Sequence, residues 1–207
     1  MIRIGILGDI GSGKSYVARR FGFPVFDADS EVTKIYRKSR KCFKKLKKIF
    51  PEHIFSFPIK RKELFSAIAE DKNNVKKINK IVHPEVRLKM NKFIKKNKKK
   101  KAIVLDIPLL LEGKLDNKND ILIYVEAKKK EINRRLKKRN NFNLKIFKKL
   151  RKLQLPLEIK KKKSDFIIKN NFKNNSVKKD LRVNSCAGIK KTYLTPSEER
   201  SENKFIN

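Results

Sequence analysis

Apolar, β-branched runs recur along the chain at residues 2–7, 24–26, 102–105, 121–125 and 166–168, and charged segments with apolar residues at helical intervals separate them. Runs that carry no polar alternation suit strands covered on both faces, so the rhythm predicts an α/β fold around a parallel sheet of five strands. The interval between the second and third runs breaks the rhythm. It has no buried-strand pattern, and Leu64, Ile68, Val75 and Ile78 recur at helical spacing, which predicts a helical insertion over 31–100. Residues 128–163 carry Ile132 and Leu136 on a helical period, interrupted at Asn140-Asn141 and Pro156, and read as a helical lid within a core formed by 1–30 and 101–180. Beyond 180 lysine thins out, and 181–207 reads as a polar tail.

Composition supports one core and changes the question. Of 207 residues, 39% are hydrophobic, including 14 Phe, which supplies a core for one domain with a small appendage. Lys and Arg number 57 against 21 Asp and Glu, a formal charge of +36. Such a field attracts nucleic acid, anionic lipid or a polyphosphate substrate, but this charge is spread along the chain and also fits an AT-rich coding bias. Cys42 and Cys186 are too few and too distant for a disulfide framework or a zinc knuckle. The apolar start is interrupted at Asp9, and the longest later stretch is broken by Asp106 and Pro108, so neither a signal peptide nor a membrane span is expected. The expectation is a soluble cytoplasmic protein, monomeric or weakly oligomeric.

The chemistry begins at Gly8-Asp9-Ile10-Gly11-Ser12-Gly13-Lys14-Ser15, a G-x-x-x-x-G-K-[ST] phosphate loop standing between a predicted strand and a predicted helix. Gly8, Gly11 and Gly13 let the backbone close on phosphate oxygens, and Ser12 sits among the amides of that cradle. Lys14 reaches the β and γ phosphates, and the Ser15 hydroxyl ligates Mg²⁺. Asp9 is the oddity: a carboxylate in an anion cradle opposes the ligand unless it points outward, toward solvent or a cation.

Other candidates follow the strands. Asp27 and Asp29 come directly after the second run, where an open α/β sheet meets its ligand; either can serve an acceptor hydroxyl, or cap the next helix. Asp29 is the preferred base, with Asp27 on the substrate. Asp106 ends the third run, a placement for an acidic group near substrate and near Mg²⁺ through water. Arg135 and Arg139 share a helix face and either stabilise a triphosphate or stand as solvated charge. His83-Pro84, with Arg87 one turn on, is structural or part of a substrate site.

Taken with Pro24-Val25-Phe26-Asp27-Ala28-Asp29, Ile81-Val82-His83-Pro84-Glu85-Val86-Arg87 and Leu105-Asp106-Ile107-Pro108-Leu109-Leu110-Leu111-Glu112, the loop resembles the dephospho-CoA kinase family. Arg135-Leu136-Lys137-Lys138-Arg139, Gln154-Leu155-Pro156-Leu157-Glu158 and Ser164-Asp165-Phe166-Ile167-Ile168-Lys169-Asn170-Asn171 extend the likeness to about residue 180. The resemblance implies a P-loop nucleoside-kinase-like three-layer fold with a helical substrate-binding insertion and a lid. It also implies phosphorylation of the ribose 3′-hydroxyl of dephospho-CoA by Mg·ATP. On that template Asp29 matches the base, Arg139 a lid arginine near the phosphates, Asn170 the adenine side of the ATP site, and His83 and Arg87 the acceptor region.

The chain departs from the family at Leu7-Gly8-Asp9, where Thr-Gly-Gly is usual, at Tyr16, where Thr is usual, and at Phe172, where Gly is common. A nucleotide monophosphate kinase uses the same cradle, and an ATPase binding nucleic acid accounts for the charge. No zinc finger or base-stacking motif favours the latter, so ATP and dephospho-CoA are the expected partners, with no specific nucleic acid and no membrane.

Overall fold

The computed structural model describes residues 1–71, 73–138, 147 and 151–173. Arg139, part of the expected lid and the tail 181–207 therefore lie outside the described residues. Five strands form one sheet: β1 (Ile2–Gly8), β2 (Val25–Asp27), β3 (Ala102–Asp106), β4 (Ile121–Glu126) and β5 (Phe166–Lys169), in the order β2-β3-β1-β4-β5. β1 runs parallel to β3 and β4, and β4 parallel to β5. Every residue of β3 is buried, as is every residue of β4 except Glu126, the two-sided burial that unalternated apolar runs require. Pro24 lies just outside β2, since it has no N–H to give a ladder, but its carbonyl accepts from the Val104 N–H at 2.9 Å.

Helices α1 (Lys14–Arg20), α2 (Ala28–Lys38), α3 (Arg40–Ile49), α4 (Arg61–Glu70), α5 (Asn74–Lys96), α6 (Lys129–Lys137) and α7 (Leu157–Lys162) complete the described elements. The chain divides into two units, one built from 1–26 and the described residues from 97 onward, the other from Asp27–Lys96. In the first, Ile4, Ile6, Val104, Ile121 and Ile123 of the sheet pack with Val17 and Ala18 of α1. In the second, α5 buries Val75, Ile78, Val82, Val86 and Met90, spaced by three or four residues, and α2, α3 and α4 pack against it. Pro84 sits within α5 and removes one helical hydrogen bond without ending the helix.

β1 lies between β3 and β4, so the connections from its neighbours leave in opposite directions around it. In an open parallel sheet that reversal opens a crevice at the C-terminal strand ends. The loop after β1 and Asp106 at the end of β3 both stand there. Asp106 directly follows Leu105, which pairs with Gly5 of β1.

Candidate active site

The phosphate loop joins β1 to α1 through glycines in positive-φ conformations: +142° at Gly8, +87° at Gly11 and +91° at Gly13. Two of them also make room. A Cβ on Gly13 would stand 2.3 Å from the Asn170 Nδ2, and one on Gly11 would crowd Ile132 and Leu136 of α6 at 3.1–3.2 Å. The loop is thus clamped from two sides by close contact, which only residues without a side chain allow.

Inside the loop the Ser12 N–H donates to the Asp9 carbonyl at 3.2 Å, and the Lys14 Nζ donates to the carbonyls of Asp9 at 2.9 Å and Gly8 at 3.3 Å. Lys14 therefore arches back over the cradle. The Ser12 hydroxyl is fully buried and has no hydrogen-bond partner among the described residues. A buried orphan of this kind, beside loop amides and an ammonium, fits a site whose polar requirements a phosphate satisfies.

Asn170 follows β5 and is 2% exposed. Its Nδ2 donates to the Ser12 carbonyl at 2.9 Å, and its Oδ1 accepts from the Phe172 N–H at 3.0 Å. The amide expected beside adenine is thus engaged at both ends in holding loop backbone. Phe172 adopts φ +61°, which explains why a glycine is common at this position in the family that the sequence resembles. The Arg135 guanidinium lies 4.5 Å from the centre of the Phe172 ring. Arg135, for which the sequence leaves open a phosphate clamp or solvated charge, stacks on that ring from an exposed stretch of α6.

Asp9 is only 6% exposed. Its Oδ1 accepts from the Ile10 N–H at 2.7 Å, and its Oδ2 lies 3.3 Å from the Arg151 Nη2. Of the two expectations for this carboxylate, the cation holds and the solvent does not. A more deeply buried pair involves Lys160 of α7: its side chain, 1% exposed, meets the Glu112 Oε1 at 2.8 Å, and the same oxygen accepts from the Leu155 N–H at 2.8 Å. Sequence reading gave no role to Arg151, Glu112 or Lys160. Glu112 was visible as the end of a family motif, whereas Arg151 and Lys160 are hidden among many cations.

Asp106 is 5% exposed and Ser15 is partly buried in the first turn of α1. Hydroxyl and carboxylate oxygens are hard donors of the kind Mg²⁺ takes, and that ion usually keeps several waters and phosphate ligands, so two protein groups suffice. Among the described residues no three His, Cys, Asp or Glu side chains form a metal cage. Ser15, with Asp106 through water, thus fits Mg²⁺ carried in on a nucleotide.

The remaining candidates belong to the helical unit. Asp27 ends β2 and caps α2, its carboxylate accepting from the Ser30 N–H at 3.0 Å, which is the capping alternative left open by the sequence. Asp29 is exposed in the first turn of α2, and its carbonyl accepts from the Thr33 hydroxyl at 2.9 Å. His83 and Arg87 share an open groove of about 470 Å³ on α5 with Lys76, Asn79, Lys80 and Pro84. Burial, helped by the Arg87 charge, lowers the His83 pKa below the usual 6.5.

The sequence model of the dephospho-CoA kinase family matches residues 2–176. The chain belongs to that family. Among its relatives is the dephospho-CoA kinase of Bacillus thuringiensis subsp. konkukian, 36% identical over 176 residues, with 81% of this chain and 87% of the relative covered. The dephospho-CoA kinase of Wolbachia pipientis wMel is 37% identical over 174 residues, covering 80% of this chain and 87% of the relative. Among solved structures, TT1252 from Thermus thermophilus superposes with a TM-score of 0.70 at 28% identity, covering 87% of this chain and 94% of that one. A dephospho-CoA kinase from Campylobacter jejuni, 24% identical, shares the fold with a TM-score of 0.61, over 90% of this chain and 96% of that one. The P-loop kinase architecture that the resemblance implies, around the five-stranded sheet that the strand rhythm predicts, is the one observed. As in other P-loop kinases, the phosphate loop of this dephospho-CoA kinase family member follows the first strand and leads into the first helix. Among the described residues no helix is long and apolar enough to cross a membrane.

Proposed function

We propose that the chain transfers the γ-phosphoryl group of ATP to the ribose 3′-hydroxyl of dephospho-CoA, giving CoA and ADP. The observation that carries this reading is the phosphate loop itself: positive-φ glycines, the buried Ser12 hydroxyl and the Lys14 ammonium converge within one turn of chain, in a member of the dephospho-CoA kinase family. Phosphoryl transfer asks a protein for positioning and charge stabilisation more than for covalent chemistry. The loop amides orient the phosphates, and Lys14 neutralises the charge that shifts toward the β–γ bridging oxygen. Ser15, with Asp106 through water, would hold Mg²⁺, which would supply further charge neutralisation on the phosphates.

Asp29 orients the acceptor hydroxyl and takes its proton, with Asp27 beside it on the substrate. Early proton removal is not demanded by a loose transition state, so aim matters as much as basicity. His83 and Arg87 bind the acceptor, for which the insertion 31–100 is the binding region. Arg135 and Arg139 of the lid, over 128–163, and Asn170 complete the ATP side. The enzyme acts in the cytosol, as a monomer or weak oligomer.

The test is ADP release from the purified chain offered ATP and Mg²⁺ with dephospho-CoA, AMP or RNA in separate reactions. Dephospho-CoA alone is expected to raise turnover above the ATP background. Turnover raised by AMP and not by dephospho-CoA overturns the acceptor, and turnover raised only by RNA overturns the small-molecule class.

A further inference from the structure

We propose that Arg151 is a phosphate-binding arginine of the nucleotide site, held at the phosphate loop by the Asp9 carboxylate so as to meet the terminal phosphate of ATP; this rests on the reading of the site as an ATP site. Asp9 occupies a loop position where its charge opposes any anion, and at 6% exposure it lacks water to screen it. Such a charge persists when it is paired. The partner is the Arg151 guanidinium, 142 residues away in sequence and 3.3 Å away in space.

Geometry then favours a role beyond neutralisation. A guanidinium carries five N–H donors in a planar fork. Among the described residues Asp9 is the one polar partner of the Arg151 fork, and the side chain is 40% exposed. That exposure leaves the fork within reach of a ligand. The Lys14 Nζ donates to the carbonyl of the same Asp9 at 2.9 Å, so an ammonium and a guanidinium are both anchored on one loop residue. A contact of 3.3 Å is also longer than the roughly 2.7–2.9 Å of a tight charge-assisted bond, which leaves the arginine able to shift its fork onto phosphoryl oxygens while Asp9 still orients it. Asp9 is a positioning residue in this account, and the loop's net charge stays positive through Lys14.

The experiment is calorimetric binding of β,γ-imido-ATP, ADP and AMP, each with Mg²⁺, to the wild-type chain and to Arg151→Ala, Arg151→Lys, Asp9→Asn, the double variant Asp9→Asn/Arg151→Ala and Lys14→Ala. Arg151→Ala is expected to weaken β,γ-imido-ATP at least about tenfold, the size of a lost charged hydrogen bond, and to leave AMP within about twofold. Arg151→Lys, which keeps the charge and loses the fork, should fall between wild type and alanine. Asp9→Asn should weaken β,γ-imido-ATP in the wild-type background and not in the Arg151→Ala background, where removing a negative charge from the loop helps instead. Thermal melting of each variant reports folding. Wild-type affinity of Arg151→Ala for the triphosphate overturns the proposal, and so does an equal loss for all three nucleotides. If Lys14→Ala weakens β,γ-imido-ATP and Arg151→Ala does not, the inference alone fails. If neither does, the ATP-site reading fails with it.

Discussion

Asp9, Glu112 and Asp120 of the sheet unit are sunk into the fold against Arg151, Lys160 and Arg3, whereas on α5 of the helical unit Lys76, Lys80 and Arg87 line an open groove beside His83. Buried ions are expensive to strip of water, and once paired their geometry is expensive to disturb. The carboxylates of the sheet unit are accordingly held by contacts internal to the protein. Cations along a solvated helix face interact through a screened field and leave their geometry to be set by the ligand they meet. The sheet unit thus holds its charges in fixed internal pairs, and the helical unit presents a solvated, charged groove.

Lys14→Ala breaks the comparison most sharply. It removes the ammonium that bonds the Gly8 and Asp9 carbonyls and that the proposed mechanism sets on the phosphates, and turnover should fall on the order of 10³-fold or more. Steady-state ADP release checks it, and a variant that keeps more than about a tenth of wild-type turnover would remove the loop from the mechanism. Next comes the Glu112–Lys160 pair. Lys160→Met leaves a largely buried carboxylate alone and should cost about 3 kcal/mol or more, read by urea unfolding. The matched change on the open helix face, Lys80→Met, should stay within about 0.5 kcal/mol. Equal costs would erase the distinction between the units.

Asp29→Asn should lower turnover roughly 10²-fold with ATP affinity near wild type, since the role proposed for Asp29 is on the acceptor hydroxyl. Asp27→Asn is the milder control, because asparagine caps a helix about as well as aspartate. Normal turnover of Asp29→Asn with a dead Asp27→Asn would exchange their roles. The smallest effect is a pH dependence at His83. Burial lowers its pKa below 6.5, so the unfolded chain binds more protons than the folded one as pH falls through that region, and stability declines toward acid. His83→Gln should flatten that decline in urea unfolding curves recorded at pH 5 to 7.5, around the ordinary histidine pKa of about 6.5. A wild-type curve no steeper than the variant's would contradict the lowered pKa of His83.

All five strands stand within a residue or two of their predicted limits, because a two-sided sheet demands unbroken β-branched runs and few other structures use them. The phosphate loop was legible for the same reason: its glycines answer a local backbone need. Pairings across the fold left no such trace. Nothing near Arg151 in sequence marks it as the partner of Asp9, and Lys160 is one lysine in a run of lysines. The cap at Asp27 and the left-handed backbone at Phe172 sit between these cases. Their residue types or family habits hint at the geometry, but the hydrogen bonds that decide it depend on where the following turn goes.

The central claim is that the phosphoryl group moves from ATP to a ribose hydroxyl. Phosphorus-31 NMR of the product formed from ATP and dephospho-CoA tests it most directly. A new phosphomonoester resonance coupled to the ribose 3′-proton, appearing with ADP and absent with Lys14→Ala, is the predicted result. A new phosphoanhydride resonance, or ADP accumulating with free phosphate and no new monoester, would contradict it.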